Sequence, residues 1–206
     1  IERDSKKFNH IGPFLMNYTT KKEKYFQNAE KANQVFKKIF SNVENPVNKI
    51  KTTISKIFPD YKISGIRENQ RNYALCTIRR HENGKSIPLH KDNVSYEGVE
   101  YEVSKINTQL SCILHLQETE KGGNLSIYNK RWKKKLEKYR EIEFGYNSNI
   151  KKKSLSDTIE TKLGDLVIIN PNYLHEVKEI QGISDRVTLG MFFGIENKTK
   201  KIFFWA

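Results

Sequence analysis

The chain has 206 residues, enough for one domain with a substantial core, and its 36% hydrophobic and 30% charged residues suit a globular protein with a wet, lysine-rich surface. No apolar run approaches the roughly 20 residues that span a bilayer, and no charged stretch followed by an apolar one marks a signal peptide. No membrane partner is therefore expected, and the cytoplasm is the expected compartment. Two cysteines, Cys76 and Cys112, are too few for a disulfide-built scaffold and are expected as buried, reduced thiols. The net charge of +13 raises nucleic acid as a partner class, but part of the excess is local. Between Lys130 and Lys153, ten lysines and arginines stand against three glutamates. Aromatics that could stack on bases are few there (Trp132, Tyr139, Phe144 and Tyr146), so a solvated insertion over 129–153 is expected and nucleic acid is disfavoured.

In chain order, residues 1–60 read as helical. Tyr25, Ala29, Ala32, Phe36 and Ile39 share one helix face. Asn45-Pro46 then supplies an N-cap and a proline at the first helical position, and Val47, Ile50, Ile54 and Ile57 continue the second helix on one side. From Tyr73 the periodicity changes. Strands are expected over Tyr73–Arg79, over Thr108–Leu116 with Leu110, Cys112, Leu114 and Leu116 on one face, and over Gly123–Tyr128 after a Gly-Gly turn. A basic helix is expected over 131–142. Short strands follow at Thr158–Leu163, Leu166–Asn170, Val177–Ile180, Val187–Gly194 and Ile202–Trp205. The pattern predicts a single α+β domain, 1–206, with N-terminal helices packed on a β-sandwich or barrel spanning 73–206.

The chemistry begins at IPLHKDN. His90 and Asp92 are two residues apart, so an extended chain projects both to the same side, where they can bind one metal. By itself this pair has little specificity. GDLVIINPNYLHEV adds His175 beyond an apolar strand and a proline-containing turn, and two histidines with one carboxylate form the facial set expected of non-haem Fe(II) oxygenases. Arg186 follows eleven residues later at the start of RVTLGMFFG, where its guanidinium fork could take a carboxylate. Thr188 points to the same side and could add a hydroxyl.

These residues, with GGNLSIYN and SDRVTLGMFFG, resemble the Fe(II)/2-oxoglutarate-dependent dioxygenases, in particular their prolyl-hydroxylase-type branch, over roughly Tyr73 to Gly194. The resemblance implies a double-stranded β-helix (jelly-roll) core. It implies Fe(II) on His90, Asp92 and His175, with Arg186 on the distal carboxylate of 2-oxoglutarate, O2 as oxidant and ascorbate as a candidate reductant. TIRRHENGKSIPLHKDN is further similar to enzymes that hydroxylate or chlorinate free amino acids such as lysine. The chlorinating members carry glycine where this chain has Asp92, so the resemblance implies hydroxylation of an aliphatic C–H. A free amino acid is the expected substrate, with a protein side chain or, less favoured, a nucleic acid as alternatives, and a homodimer is compatible with the chain. A non-catalytic binding module would require the four residues to coincide by chance.

The remaining candidates are weighed singly. Arg79 or Arg80, at a strand end, could receive a substrate carboxylate or simply be solvated. Asn93 could orient substrate or cap a turn, and Trp205 could wall the pocket, although core packing is favoured. His115 reads as a satisfied core or pocket histidine, and His10 and His81 as exposed.

Overall fold

A computed structural model describes residues 9–142 and 144–206; residues 1–8 of the expected helical part and Glu143 of the expected insertion lie outside the described residues. After a short strand, Asn9–Ile11, and a 3-10 turn come two helices, α1 (Lys22–Ile39) and α2 (Pro46–Ile57). The second begins where the sequence places it, with the Asn45 side chain accepting from the Val47 amide at 2.9 Å. No helix among the described residues is long and apolar enough to cross a membrane.

Seven strands form the larger sheet: β1 (Asn9–Ile11), β2 (Lys62–Ser64), β3 (Thr77–His81), β5 (Thr108–Gln117), β8 (Leu166–Ile169), β10 (Arg186–Glu196) and β11 (Lys201–Trp205). Four form the smaller: β4 (Ile87–His90), β6 (Leu125–Arg131), β7 (Ser156–Ile159) and β9 (Tyr173–Val177). All pairings in the two sheets are antiparallel except that of β11 with β2. The long strand β10 organises the larger sheet. It pairs with β5 along one edge, and on the other with β3 through Arg186–Gly190 and with β11 through Phe192–Glu196.

Alternation along β10 separates two environments. Leu189, Met191 and Phe193 join a core with Ala32 and Phe36 of α1 and Val47, Ile50 and Ile54 of α2, so the helices cover one face of this sheet. Phe36, wholly buried, contributes about 2–3 kcal/mol through that burial. Arg186, Thr188 and Gly190 point to the opposite face, where residues of both sheets line one cavity.

Several expected boundaries shift for identifiable reasons. The strand expected from Tyr73 starts at Thr77, because the preceding backbone is satisfied by α1: the Ala74 amide donates to the Tyr25 hydroxyl and the Leu75 amide to Asn33 Oδ1. Ile39 and Ile57, each at the last position of its helix, are 44% and 52% exposed, beyond the reach of the sheet. In place of a helix over 131–142, a six-residue 3-10 helix, Lys134–Tyr139, is held by side-chain bonds to Glu137. The strand expected over Thr158–Leu163 is Ser156–Ile159, leaving Leu163 exposed. Val177–Ile180 is not one strand: β9 ends at Val177 and carries His175 inside it, and Ile180–Gln181 pairs separately with Lys121–Gly122.

Candidate active site

β4 and β9 are neighbours, and their register sets His90 directly opposite His175. The two imidazole rings lie 4.1 Å apart, centroid to centroid. Asp92 follows β4 in an extended loop whose amide donates to the Pro171 carbonyl at 2.9 Å, tying it to the turn that leads into β9. One Asp92 oxygen then stands 4.0 Å from His90 Nε2 and 3.8 Å from His175 Nε2. Ligand atoms of all three residues lie within 4.8 Å of one another.

The hydrogen bonds prepare both rings for a cation. His90 Nδ1 meets the Pro88 carbonyl at 2.8 Å, and His175 Nδ1 meets the Tyr173 carbonyl at 2.8 Å. A carbonyl oxygen only accepts, so each Nδ1 carries the proton and each Nε2 turns a lone pair toward Asp92. Burial lowers both histidines from 6.5 to about 4, so they are neutral at ordinary pH, as metal ligands must be. Burial raises the Asp92 carboxyl, against the opposing pull of His175 and Arg79. Two neutral imidazoles and one carboxylate in a buried cluster are the donor set of a non-haem Fe(II) site.

Across the cavity, on the other sheet, Arg186 and Thr188 are buried. With His81, Ser111, Ile113, Leu125, His175 and others they line a small cavity of about 50 Å³. Burial lowers the Arg186 guanidinium to about 10, so it stays charged, and its Nε is buried without a hydrogen-bond partner among the described residues. A buried cation with an orphaned donor fits the carboxylate of a bound dicarboxylate. The Gly122-Gly123 turn leaves room for it. Gly123 has φ +68°, and a Cβ there would stand 3.0 Å from Arg186 Cδ.

A second, larger cavity of about 260 Å³ adjoins the first and shares Phe14, Arg79, Ile87, His90 and Asp92 with it. Of the substrate candidates, only Arg79 lines it. Arg80 points the opposite way and pairs with Asp185 at 2.5 Å on the surface. Asn93 caps a short helix, Val94–Glu97, accepting from the Tyr96 amide at 3.0 Å. Trp205 is packed in the core against Phe192, off both cavity walls. His115 is buried, hydrogen-bonded to Glu118 and to Thr161, and outside the metal cluster.

Two histidines differ from expectation. His81 is wholly buried beside Arg186 because alternation on β3 turns Thr77, Arg79 and His81 inward, and burial lowers it to about 3. His10 is half-buried and lines the larger cavity, since β1 pairs with β3.

Sequence reasoning missed the far wall. Lys91 turns away from the cluster, as the middle residue of an extended H-x-D must, and is buried between the rings of Tyr96 and Trp132 with Glu97 at 2.6 Å. Arg140 joins Glu97 to Glu137, each at 2.7 Å, and Glu137 takes hydrogen bonds from Trp132 and Tyr146. This chain of charges fixes the segment after β6 against the metal loop. It sets Phe144 edge-on to His90, ring centroids 5.9 Å apart, as part of the cavity wall.

Comparison with known proteins matches residues 2–206 to the family model described as carrier-protein-independent halogenase WelO5. A curated relative, leucinostatins biosynthesis cluster protein S of Purpureocillium lilacinum, is 27% identical over 181 residues, 84% of this chain and 73% of that protein. Among solved structures, an N-substituted L-amino acid dioxygenase from Burkholderia ambifaria is similar with a TM-score of 0.62 at 19% identity, covering 91% of this chain and 71% of that one. Its complex with alpha-ketoglutarate gives a TM-score of 0.60 at 18% identity, covering 94% and 74%.

Proposed function

Because the chain belongs to the family of the carrier-protein-independent halogenase WelO5, and is an Fe(II)- and 2-oxoglutarate-dependent oxygenase, we propose that it inserts oxygen rather than halogen into an aliphatic C–H bond of a small acid of the amino-acid class. The observation that carries this reading is Asp92. A halogenating centre of this type needs an open iron position for the halide, and glycine in place of the carboxylate provides it. Here the carboxylate is present, buried, and 4.0 Å or less from both imidazole Nε2 atoms.

In this reading the two sheets are the double-stranded β-helix. His90, Asp92 and His175 hold the iron, and Arg186 with Thr188 holds the distal carboxylate of 2-oxoglutarate. Bound there, metal and cosubstrate couple decarboxylation to succinate with oxygen activation and supply the oxidant. The protein keeps each imidazole in its Nδ1–H tautomer through the Pro88 and Tyr173 carbonyls, so both rings stay oriented without a proton at Nε2. The apolar residues Phe14, Met16, Ile87 and Phe144 limit water beside the metal and leave a substrate few ways to lie. A cavity of about 260 Å³ suits a small molecule better than a polypeptide or a base in a duplex. The solved dioxygenase of similar fold acts on N-substituted L-amino acids, which supports the amino-acid class as the first to test.

The test is turnover of iron-loaded protein with 2-oxoglutarate, excess chloride and a panel of free and N-substituted amino acids. A product heavier by one oxygen atom, matched by succinate, is expected. A chlorinated product from the unaltered protein would contradict the choice of oxygen, and absence of substrate-dependent succinate would contradict the reading as a whole.

A further inference from the structure

The proposed reading leaves open what in the larger cavity recognises the substrate, and the pairing of its charged groups supplies an answer. The cavity is lined by three basic side chains, Arg79, Lys91 and Arg140, and among the described residues by two carboxylates, Asp92 and Glu97. Glu97 is committed twice, to Lys91 at 2.6 Å and to Arg140 at 2.7 Å. Arg140 is further held by Glu137. Asp92 belongs to the metal cluster. No carboxylate of the described wall is left to receive an ammonium group.

Arg79 is in the opposite condition. It is half-buried on the inward face of β3, with its guanidinium carbon 4.3 Å from the centre of the Phe14 ring. Among the described residues it has no hydrogen-bonded or ion-paired carboxylate. The negative charge acting on it is that of Asp92, which a bound divalent cation would take over. Gly190, on the neighbouring strand β10, lies beside it, a Cβ there standing 3.8 Å from the guanidinium carbon in ordinary contact. A planar cation stacked on one ring face, with its N–H fork unclaimed beside a metal site, is an anchor for a planar anion.

Resting on the proposed function, we infer that the larger cavity binds a carboxylate whose amino group is blocked or absent, with Arg79 as the anchor. Phe14 holds the guanidinium plane while the acid is received. Among the described residues a free ammonium group would meet only carboxylates already paired or held in the metal cluster, and neutral acceptors such as Asn17 and Thr19, while standing next to Arg79 and the metal, so it would exchange hydration for weak partners in a positive field. Free lysine, with two ammonium groups, fits this cavity poorly on the same ground.

The test is anaerobic calorimetry on protein loaded with Fe(II) and 2-oxoglutarate, titrated with matched compounds. Each aliphatic amino acid (valine, leucine, isoleucine, lysine) is offered free, as its N-acetyl acid, and as its N-acetyl amide. Binding of one or more N-acetyl acids is expected, at least about tenfold tighter than the corresponding free amino acid or N-acetyl amide. Arg79→Met is expected to weaken that acid at least about tenfold and to leave 2-oxoglutarate affinity unchanged, with Arg79→Lys intermediate. Free amino acids or amides binding as tightly as the acids, or no acid binding to the loaded protein, would overturn the inference. So would loss of 2-oxoglutarate affinity in Arg79→Lys, which would place Arg79 on the cosubstrate. The unaltered protein's ranking stands even if Arg79→Met fails to fold. Failure of the unaltered protein to take up iron and 2-oxoglutarate would contradict the proposed function itself and is read before any compound is added.

Discussion

At the scale of single residues, Asp92 carries the proposed distinction between oxygen and halogen insertion. Asp92→Gly removes a charged ligand and opens a position, so iron affinity should fall by at least about tenfold and hydroxylation should be lost. With chloride present, mass spectrometry should show chlorine in whatever product remains. A variant that still hydroxylates at the original rate would show that the carboxylate does not bind the metal. Gly123 offers a second residue-scale test. Alanine there must adopt φ +68° and place its Cβ 3.0 Å from Arg186 Cδ. Steady-state kinetics should show KM for 2-oxoglutarate rising about tenfold, with a smaller change in kcat. At this scale the candidate cluster is legible in the sequence, because the type and spacing of His90, Asp92 and His175 point to residues that the fold brings together, with Arg186 on the same cavity. Lys91, Glu97, Arg140 and Phe144 give no such signal. Each alone reads as a surface charge or a core aromatic, and only the folded wall brings them together.

At the scale of elements, the segment following β6 is the part least visible beforehand. Its lysines suggest a solvated helix, yet its acceptor Glu137 and the rings of Trp132 and Tyr146 bind it to the metal loop through Glu97 and Lys91. Periodicity cannot register such a network, since its members follow no helical or strand period. Glu137→Ala should leave Arg140, Trp132 and Tyr146 short of an acceptor. Hydrogen–deuterium exchange should then quicken across 132–147 while β4 and β9 keep their protection. Unchanged exchange would mean that the network does not hold the segment. The helices were more legible, because their signals are local. Asn45 and Pro46 mark the start of α2, and Asn45→Ala should cost about 1 kcal/mol in chemical denaturation with little change in slope.

At the scale of the whole molecule, the smaller sheet and the loop that leaves it carry His90, Asp92 and His175, the larger sheet carries Arg186 and Thr188, and the cavity lies between them. Alternation along the strands made the apolar faces legible. The order of strands was not, because β10 shares one edge between β3 and β11, an arrangement set by long-range pairing. His81 is not legible as buried for the same reason, since its burial depends on β3 lying beside β10. That burial has a global consequence. His81 falls from 6.5 to about 3, so the unfolded chain takes up a proton that the folded chain refuses. Its contribution is present above about pH 6.5 and is lost as pH falls toward 3, with a limiting slope of about 1.4 kcal/mol per pH step. Thermal unfolding of the metal-free protein should show this acid-side loss together with that of His90 and His175, and His81→Gln should lessen it by the His81 share. The central claim is that iron sits on His90, Asp92 and His175 while Arg186 holds 2-oxoglutarate. Anaerobic calorimetry, adding Fe(II) and then 2-oxoglutarate, tests it most directly. One equivalent of each should bind the unaltered protein, Asp92→Ala should weaken the first step, and Arg186→Met should abolish the second while sparing the first. Unchanged iron binding in Asp92→Ala, or unchanged 2-oxoglutarate binding in Arg186→Met, would contradict it.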